Sequence, residues 1–400
     1  MEKKQKKNLV DPFSYIRTIA ALTIFVFHTN VFSGMNGYVI NGSNWFMKSA
    51  GHGAVWVFFF LSGYFNIRGF LGSKPGYSLD AQGIKKFYFR RFIKVLFPVW
   101  CFYLIALTIS EPAFLQIYPE TIWRLLTFTY SGEPGCTSIA ATWYVSSLTW
   151  LYLLTPLIAL ICRKLDRAKG CARIMILSVI IALMGLVLRF FLLFSGADWT
   201  QGVFVPFYCN LDIFIGGAFA YLLARKIRSP FSGNAAYALS LIIYTLLIII
   251  HSRIYYLGDQ DGVYLLIHEY IMPTVYILIM TMVCILAENS GYRYMRLKPV
   301  TVARNPLRLV DAFSRISFQF YLIHNMVLFH LSTVILAADG TEYSRKMLIW
   351  GFIISVPLSV LFMRATAINY PGRNMSEDQV KAACVENVNT VSGDENESAS

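Results

Sequence analysis

Residues 14–33, SYIRTIAALTIFVFHTNVFS, decide the fold class of this 400-residue chain. The run is apolar yet carries two titratable side chains, Arg17 and His28. At about 100° per residue the steps between them amount to about three turns plus 20°, so both project from one helix face. At roughly 1.5 Å per residue they lie roughly 16 Å apart along the axis, about half a bilayer core. Arg17 therefore sits near one membrane surface and His28 at or beyond the middle. A charge in lipid costs at least about 2.5 kcal/mol, so such residues face a cavity or a partner. The bland reading is that Arg17 snorkels to headgroups and His28 is a hydrogen-bonded core histidine. On one stripe, the two point instead to the wall of a polar cavity.

Working outward, 56% hydrophobic and 14% charged residues describe an all-α, polytopic membrane protein. Spans are expected near 14–34, 52–71, 95–112, 143–162, 174–194, 206–224, 234–252, 264–287, 316–337 and 347–365, about ten transmembrane helices. The chain divides into a basic cytoplasmic arm (1–13), a membrane domain (14–365) and a polar tail (366–400) that reads as disordered. The start, MEKKQKK followed by an apolar run, is like a signal peptide, but Arg17 interrupts the run and an uncleaved first span is expected. With the N-terminus inside, 28 of the 35 Lys and Arg residues fall on inner segments and six on outer ones. Both termini are thus cytoplasmic. The formal charge of +13 is mostly this topology signal, which removes the case for nucleic acid. The seven cysteines form no C-x-x-C pair, so neither a disulfide framework nor a metal site is expected.

Two connections are long. The inner one ends in KKFYFRRFIK, with Lys85, Lys86, Arg90, Arg91 and Lys94 at helical spacing. This is either an anchor on anionic lipid or an electropositive mouth for a phosphate-bearing ligand. The outer one, 113–142, either lies in the interface or folds back into a cavity. Arg189 and Asp212 are placed to pair at membrane depth, as structure or as a substrate contact. His268 and Glu269 fall near the outer surface, where solvation explains them, and His324 and Asn325 lie near mid-membrane. Gly216 and Gly217 imply close helix packing. No P-loop, G-x-S-x-G elbow or H-E-x-x-H is present, and Ser62 has no base beside it in sequence. What remains is a histidine in a membrane cavity. Histidine suits general-base work near neutral pH, and also proton coupling in a transporter or flippase of a sugar precursor or organic acid.

Four stretches make the sequence resemble the acyltransferase 3 family: IRTIAALTIFVFH (16–28) with Arg17-x10-His28, VFFFLSGYF (57–65), FRRFIKVLFPVW (89–100) and ISFQFYLIHNMVL (316–328). The resemblance covers most of residues 10–365. It implies an integral O-acyltransferase of the cell membrane that uses cytoplasmic acyl-CoA, acetyl-CoA above all. The acyl group, acetyl or succinyl, would go to a hydroxyl of an envelope glycan or lipid-linked sugar. His28 looks like the catalytic base and Arg17 like the residue that positions the donor. Arg90, Arg91 and Lys94 resemble the basic cluster that would hold CoA phosphates, with Lys94 where the family has arginine. Ser62, Trp143, Asp212, Arg189 and His324 are candidate substrate contacts. The chain departs from the family at Ser14 and Thr149, where many members carry acids. With no hydrolase-like domain following, transfer is either direct or completed by a separate extracytoplasmic transferase, and a homo-oligomer is compatible with the sequence.

Overall fold

The computed structural model describes residues 10–37, 51–72, 76–132, 138–167, 170–231, 233–258, 261–290, 308–337 and 339–367. Every regular element among them is helical. Ten long helices follow in chain order: α1 Pro12–Met35, α2 Gly51–Leu71, α3 Ala81–Ser110, α4 Ala140–Arg167, α5 Ala172–Phe194, α6 Phe207–Lys226, α7 Gly233–Gly258, α8 Gly262–Asn289, α9 Arg308–Val334 and α10 Gly340–Ala365. Among the described residues, nine of these are long and apolar enough to cross a membrane. Helix α9 has the length but carries Asp311, Ser314, Ser317, His324 and Asn325, all buried. Its polarity faces protein rather than lipid, so nine candidate spans stand among the described residues against the ten expected, and α9 is the helix that makes the difference.

The described residues up to 363 form one compact unit, and of residues 364–400 those from 364 to 367 are described. The tail expected to be disordered, and most of the basic arm, lie outside the described residues.

The centre of the first unit is the crossing of α2 with α6, flanked by α8, while α9 packs along α1. Two glycines make the crossing. A Cβ on Gly63 would lie 1.9 Å from the Phe214 carbonyl oxygen, and one on Gly217 would lie 1.9 Å from that of Phe60. Backbone thus meets backbone from both sides, the close approach that small residues permit in membrane helices. Gly216 leaves room for a side chain instead: a Cβ there would lie 2.7 Å from Ile277 of α8.

Helix α3 begins well before the expected start at 95. Asp80 caps it, accepting from the Gly83 N–H at 2.6 Å and the Ser78 hydroxyl at 2.8 Å. The Gly83 N–H, with Ser78 behind it, holds the Asp80 carboxyl below the usual carboxylate range. The charged stretch KKFYFRR, at helical spacing in the sequence, is therefore the helical lead-in to the span. Within α3 a π-helical turn, Phe92–Leu96, precedes Pro98. In α8 the same device recurs, with the π-turn Ile267–Ile271 ahead of Pro273. Proline has no N–H for the carbonyl four residues back, and a widened turn relieves the clash.

The outer connection carries two short helices, Phe114–Ile117 and Thr121–Leu126. Phe114 and Leu125 are buried while Ile117, Ile122 and Trp123 are exposed, the pattern of a segment lying in an interface.

Gly217→Ala should lower the melting temperature of the detergent-solubilised protein, a loss of about 1–3 kcal/mol from overpacking. Gly34→Ala, whose Cβ meets nothing within 4 Å, should leave it unchanged or raised.

Candidate active site

Two chambers lie end to end inside the helices. The outer, about 670 Å³, is lined by His28, His52, Trp143, Gln201, Phe204 and Asn325 among others. The inner, about 190 Å³, is lined by Phe58, Ser62, Lys94, Tyr144, Tyr152 and Ser317 among others. Ile24, Val55 and Tyr321 belong to both walls and form a collar between them. Lys94 is exposed, so it marks the mouth of the inner chamber. The π-turn of α3 brings both Lys94 and Val95 to this wall.

His28 lines the outer chamber one turn beyond Ile24. Its Nδ1 lies 2.8 Å from Nε2 of His324, and His324 Nδ1 lies 2.9 Å from the Phe320 carbonyl oxygen. These distances determine the protons. A carbonyl can only accept, so His324 Nδ1 carries a hydrogen and, in the neutral ring, its Nε2 is an acceptor. His28 Nδ1 must then donate, which leaves the lone pair of neutral His28 on Nε2. The Phe320 ring stacks on His324 at 5.6 Å and 14°, and Phe25 meets its edge at 6.0 Å, so the second imidazole has little freedom to turn.

Arg17 lines neither chamber. Its Nε donates to the Phe13 carbonyl at 3.2 Å, and the guanidinium lies 5.6 Å from the Phe65 ring centroid. Asp11 lies one turn before Ser14. Asp11 accepts from the Ser14 hydroxyl at 3.2 Å, and its carboxyl is pushed above the usual range by burial while the Arg17 charge pulls it down. The basic cluster divides by position. Arg91 donates to Asn66 and lies 4.9 Å from the Tyr152 ring and 5.2 Å from Phe87, held inward by cation–π contacts. Arg90 rests 5.4 Å from the Tyr77 ring. Beside Tyr77, a surface hollow of about 520 Å³ carries Lys86 and Arg163.

Ser62 sits within hydrogen-bonding reach of both Tyr144 and Tyr152 in the inner chamber. Trp143 packs edge-on to Phe204 at 4.7 Å in the outer wall. Arg189 and Asp212, expected as a pair that is structural or touches substrate, do pair. They line neither chamber and are buried against each other at 2.8 Å, with Arg189 also donating to the Cys209 carbonyl at 2.9 Å. A Cβ on Gly185 would lie 1.9 Å from the Asp212 carboxylate, so α5 is hollowed to admit it. The pair joins α5 to α6.

A second histidine group escaped the sequence reading. His251 lies 3.0 Å from the Tyr276 hydroxyl through Nδ1 and 2.8 Å from His268 Nδ1 through Nε2. His52 meets the His268 ring at 5.2 Å. His268, expected to be solvated, is 1% exposed. The one local signal is G-H-G at 51–53. Gly51 leaves room for Phe27, and a Cβ on Gly53 would meet the Tyr276 hydroxyl at 2.1 Å. Among the described residues, no group of three or more His, Cys, Asp or Glu side chains suits a metal ion.

The profile of the acyltransferase 3 family, described as an acyltransferase domain, matches residues 12–367. The chain belongs to the acyltransferase 3 family. No curated protein matches the chain, and no solved structure does. An acyltransferase with nine described helices of membrane-spanning length and apolarity is a multi-pass membrane protein. In this acyltransferase 3 protein, α1 carries Arg17 and His28, α2 and α6 supply the two glycines of the crossing, α3 the π-turn beside the inner chamber, and α9 the ridge that holds His28.

Breaking the buried ion pair strands a charge. Asp212→Asn or Arg189→Met alone should destabilise the solubilised protein by about 3–5 kcal/mol, and the double variant by clearly less, in thermal unfolding.

Proposed function

We propose that this protein is an O-acyltransferase of the cell membrane that moves a short acyl group, acetyl or succinyl, from cytoplasmic acyl-CoA. The acceptor is a hydroxyl of an envelope carbohydrate or lipid-linked sugar. The observation that carries this reading is the hydrogen-bond chain from His28 through His324 to the Phe320 carbonyl, which leaves a basic Nε2 on a residue of the outer chamber.

Three further features support it. The inner chamber is entered beside a lysine, with Arg90, Lys86 and Arg163 on the same cytoplasmic side by the charge rule. Cationic groups of this kind suit the phosphates of CoA. The outer chamber joins aromatic walls, Trp143 and Phe204, to amide groups, Gln201 and Asn325, a lining suited to a sugar ring with its hydroxyls. The collar joins the two, so the thioester and the acceptor hydroxyl can meet there. Arg17, on the cytoplasmic side of His28, stands behind the chamber walls against Phe13 and Phe65 and positions the donor end through that packing.

In the reaction, His28 Nε2 takes the hydroxyl proton as the oxygen attacks the thioester carbonyl. The carbon–sulfur bond then breaks, and the proton passes from His28 to the departing thiolate. His324 stabilises the imidazolium formed on the way. Charge never has to leave the cavity, and no metal is needed for the proton balance.

The test is transfer from labelled acetyl-CoA by purified protein in liposomes. His28→Ala should lower kcat by about 10³-fold or more, within the range for loss of a general base. Arg17→Ala should impair transfer as well. Full activity in both variants, in protein that reaches the membrane, would contradict the mechanism.

A further inference from the structure

General-base chemistry at His28 leaves one charge unaccounted for. Attack on the thioester puts negative charge on the carbonyl oxygen, and stabilising that charge with an oriented donor is commonly the largest single catalytic effect. The donor has to stand where both substrates meet. Of the three residues common to the two chambers, Ile24 and Val55 are apolar, and Tyr321 alone has a hydroxyl.

Tyr321 is 7% exposed, and its hydroxyl donates to the carbonyl of Ala141, in the short 3-10 turn at the start of α4. On α9 it stands one turn before His324, ring centroids 6.0 Å apart, and four residues before Asn325 of the outer wall. On α1 the other side of the collar, Ile24, is one turn before His28, about 6 Å along the axis. The phenol is therefore level with the collar, on the same ridge as the residue that orients the base. Other hydroxyls are less well placed: Tyr144, Tyr152 and Ser62 line the inner chamber only.

We propose that Tyr321 is a further catalytic residue, the hydrogen-bond donor to the oxyanion of the tetrahedral intermediate. Its hydroxyl exchanges the Ala141 carbonyl for the thioester oxygen when the donor enters. The carbon–oxygen bond to the acceptor forms, the oxyanion is held by the phenol, and the carbon–sulfur bond breaks as the oxyanion collapses. The phenol keeps its proton throughout. The inference rests on the acyl-transfer reading above and adds a residue to it.

Tyr321→Phe in the purified full-length protein should lower kcat about 10²- to 10³-fold, the range for one oxyanion donor, with KM for acetyl-CoA within about threefold. A residue that only pins Ala141 would affect melting temperature and KM rather than kcat. Fluorotyrosines at 321 separate the roles without removing the hydroxyl, because a donor to an oxyanion makes log kcat depend on phenol acidity. A kcat within threefold of wild type for folded Tyr321→Phe, or no dependence on acidity across the fluorotyrosine series, overturns the proposal alone. Absence of any transfer by the wild-type protein overturns the acyl-transfer reading, and the proposal with it.

Discussion

A backbone carbonyl that can only accept a hydrogen bond sets the chemistry of this protein. The Phe320 oxygen fixes the proton on His324, His324 fixes the proton on His28, and the lone pair of His28 is left on Nε2. The chain works only if α1 and α9 keep their register. Phe25 of α1 packs edge-on to Phe320 at 5.4 Å. Gly351 of α10 admits both Phe25 and Leu328, since a Cβ there would lie 2.8 Å from one and 3.1 Å from the other. Packing of aromatic rings thus holds a hydrogen bond, and the hydrogen bond holds a base.

The chambers depend on a different constraint. Prolines at 98 and 273 each follow a π-turn, and each π-turn carries polar residues inward: Lys94 to the inner chamber, His268 to the second histidine group. Irregular backbone of this kind is tolerated at membrane depth where protein covers it.

Much of this was legible from residues alone. Ten apolar or amphipathic stretches were visible because a span needs about 20 residues, a length few other structures demand. Arg17 and His28 stood out because charge is costly in lipid, and Gly217 because glycine in a span is informative. The helical spacing of KKFYFRRFIK was visible, but the span was expected to begin near 95, and its continuation back to Ala81 depends on the Asp80 cap. His324 was visible as a polar residue, but its role as the partner of His28 depends on a contact 296 residues away in sequence. His52, His251 and His268 share no spacing, and three helices bring them together. The Arg189–Asp212 pair was foreseen as a pair; only packing could show that it faces away from both chambers.

The most direct measurement is nitrogen NMR of histidine-labelled protein in detergent, with His28 assigned by substitution. The account predicts that neutral His28 carries its proton on Nδ1 and a bare Nε2, and that His324→Phe converts it to a mixture of tautomers. A wild-type His28 protonated on Nε2, or a tautomer indifferent to His324, would contradict it.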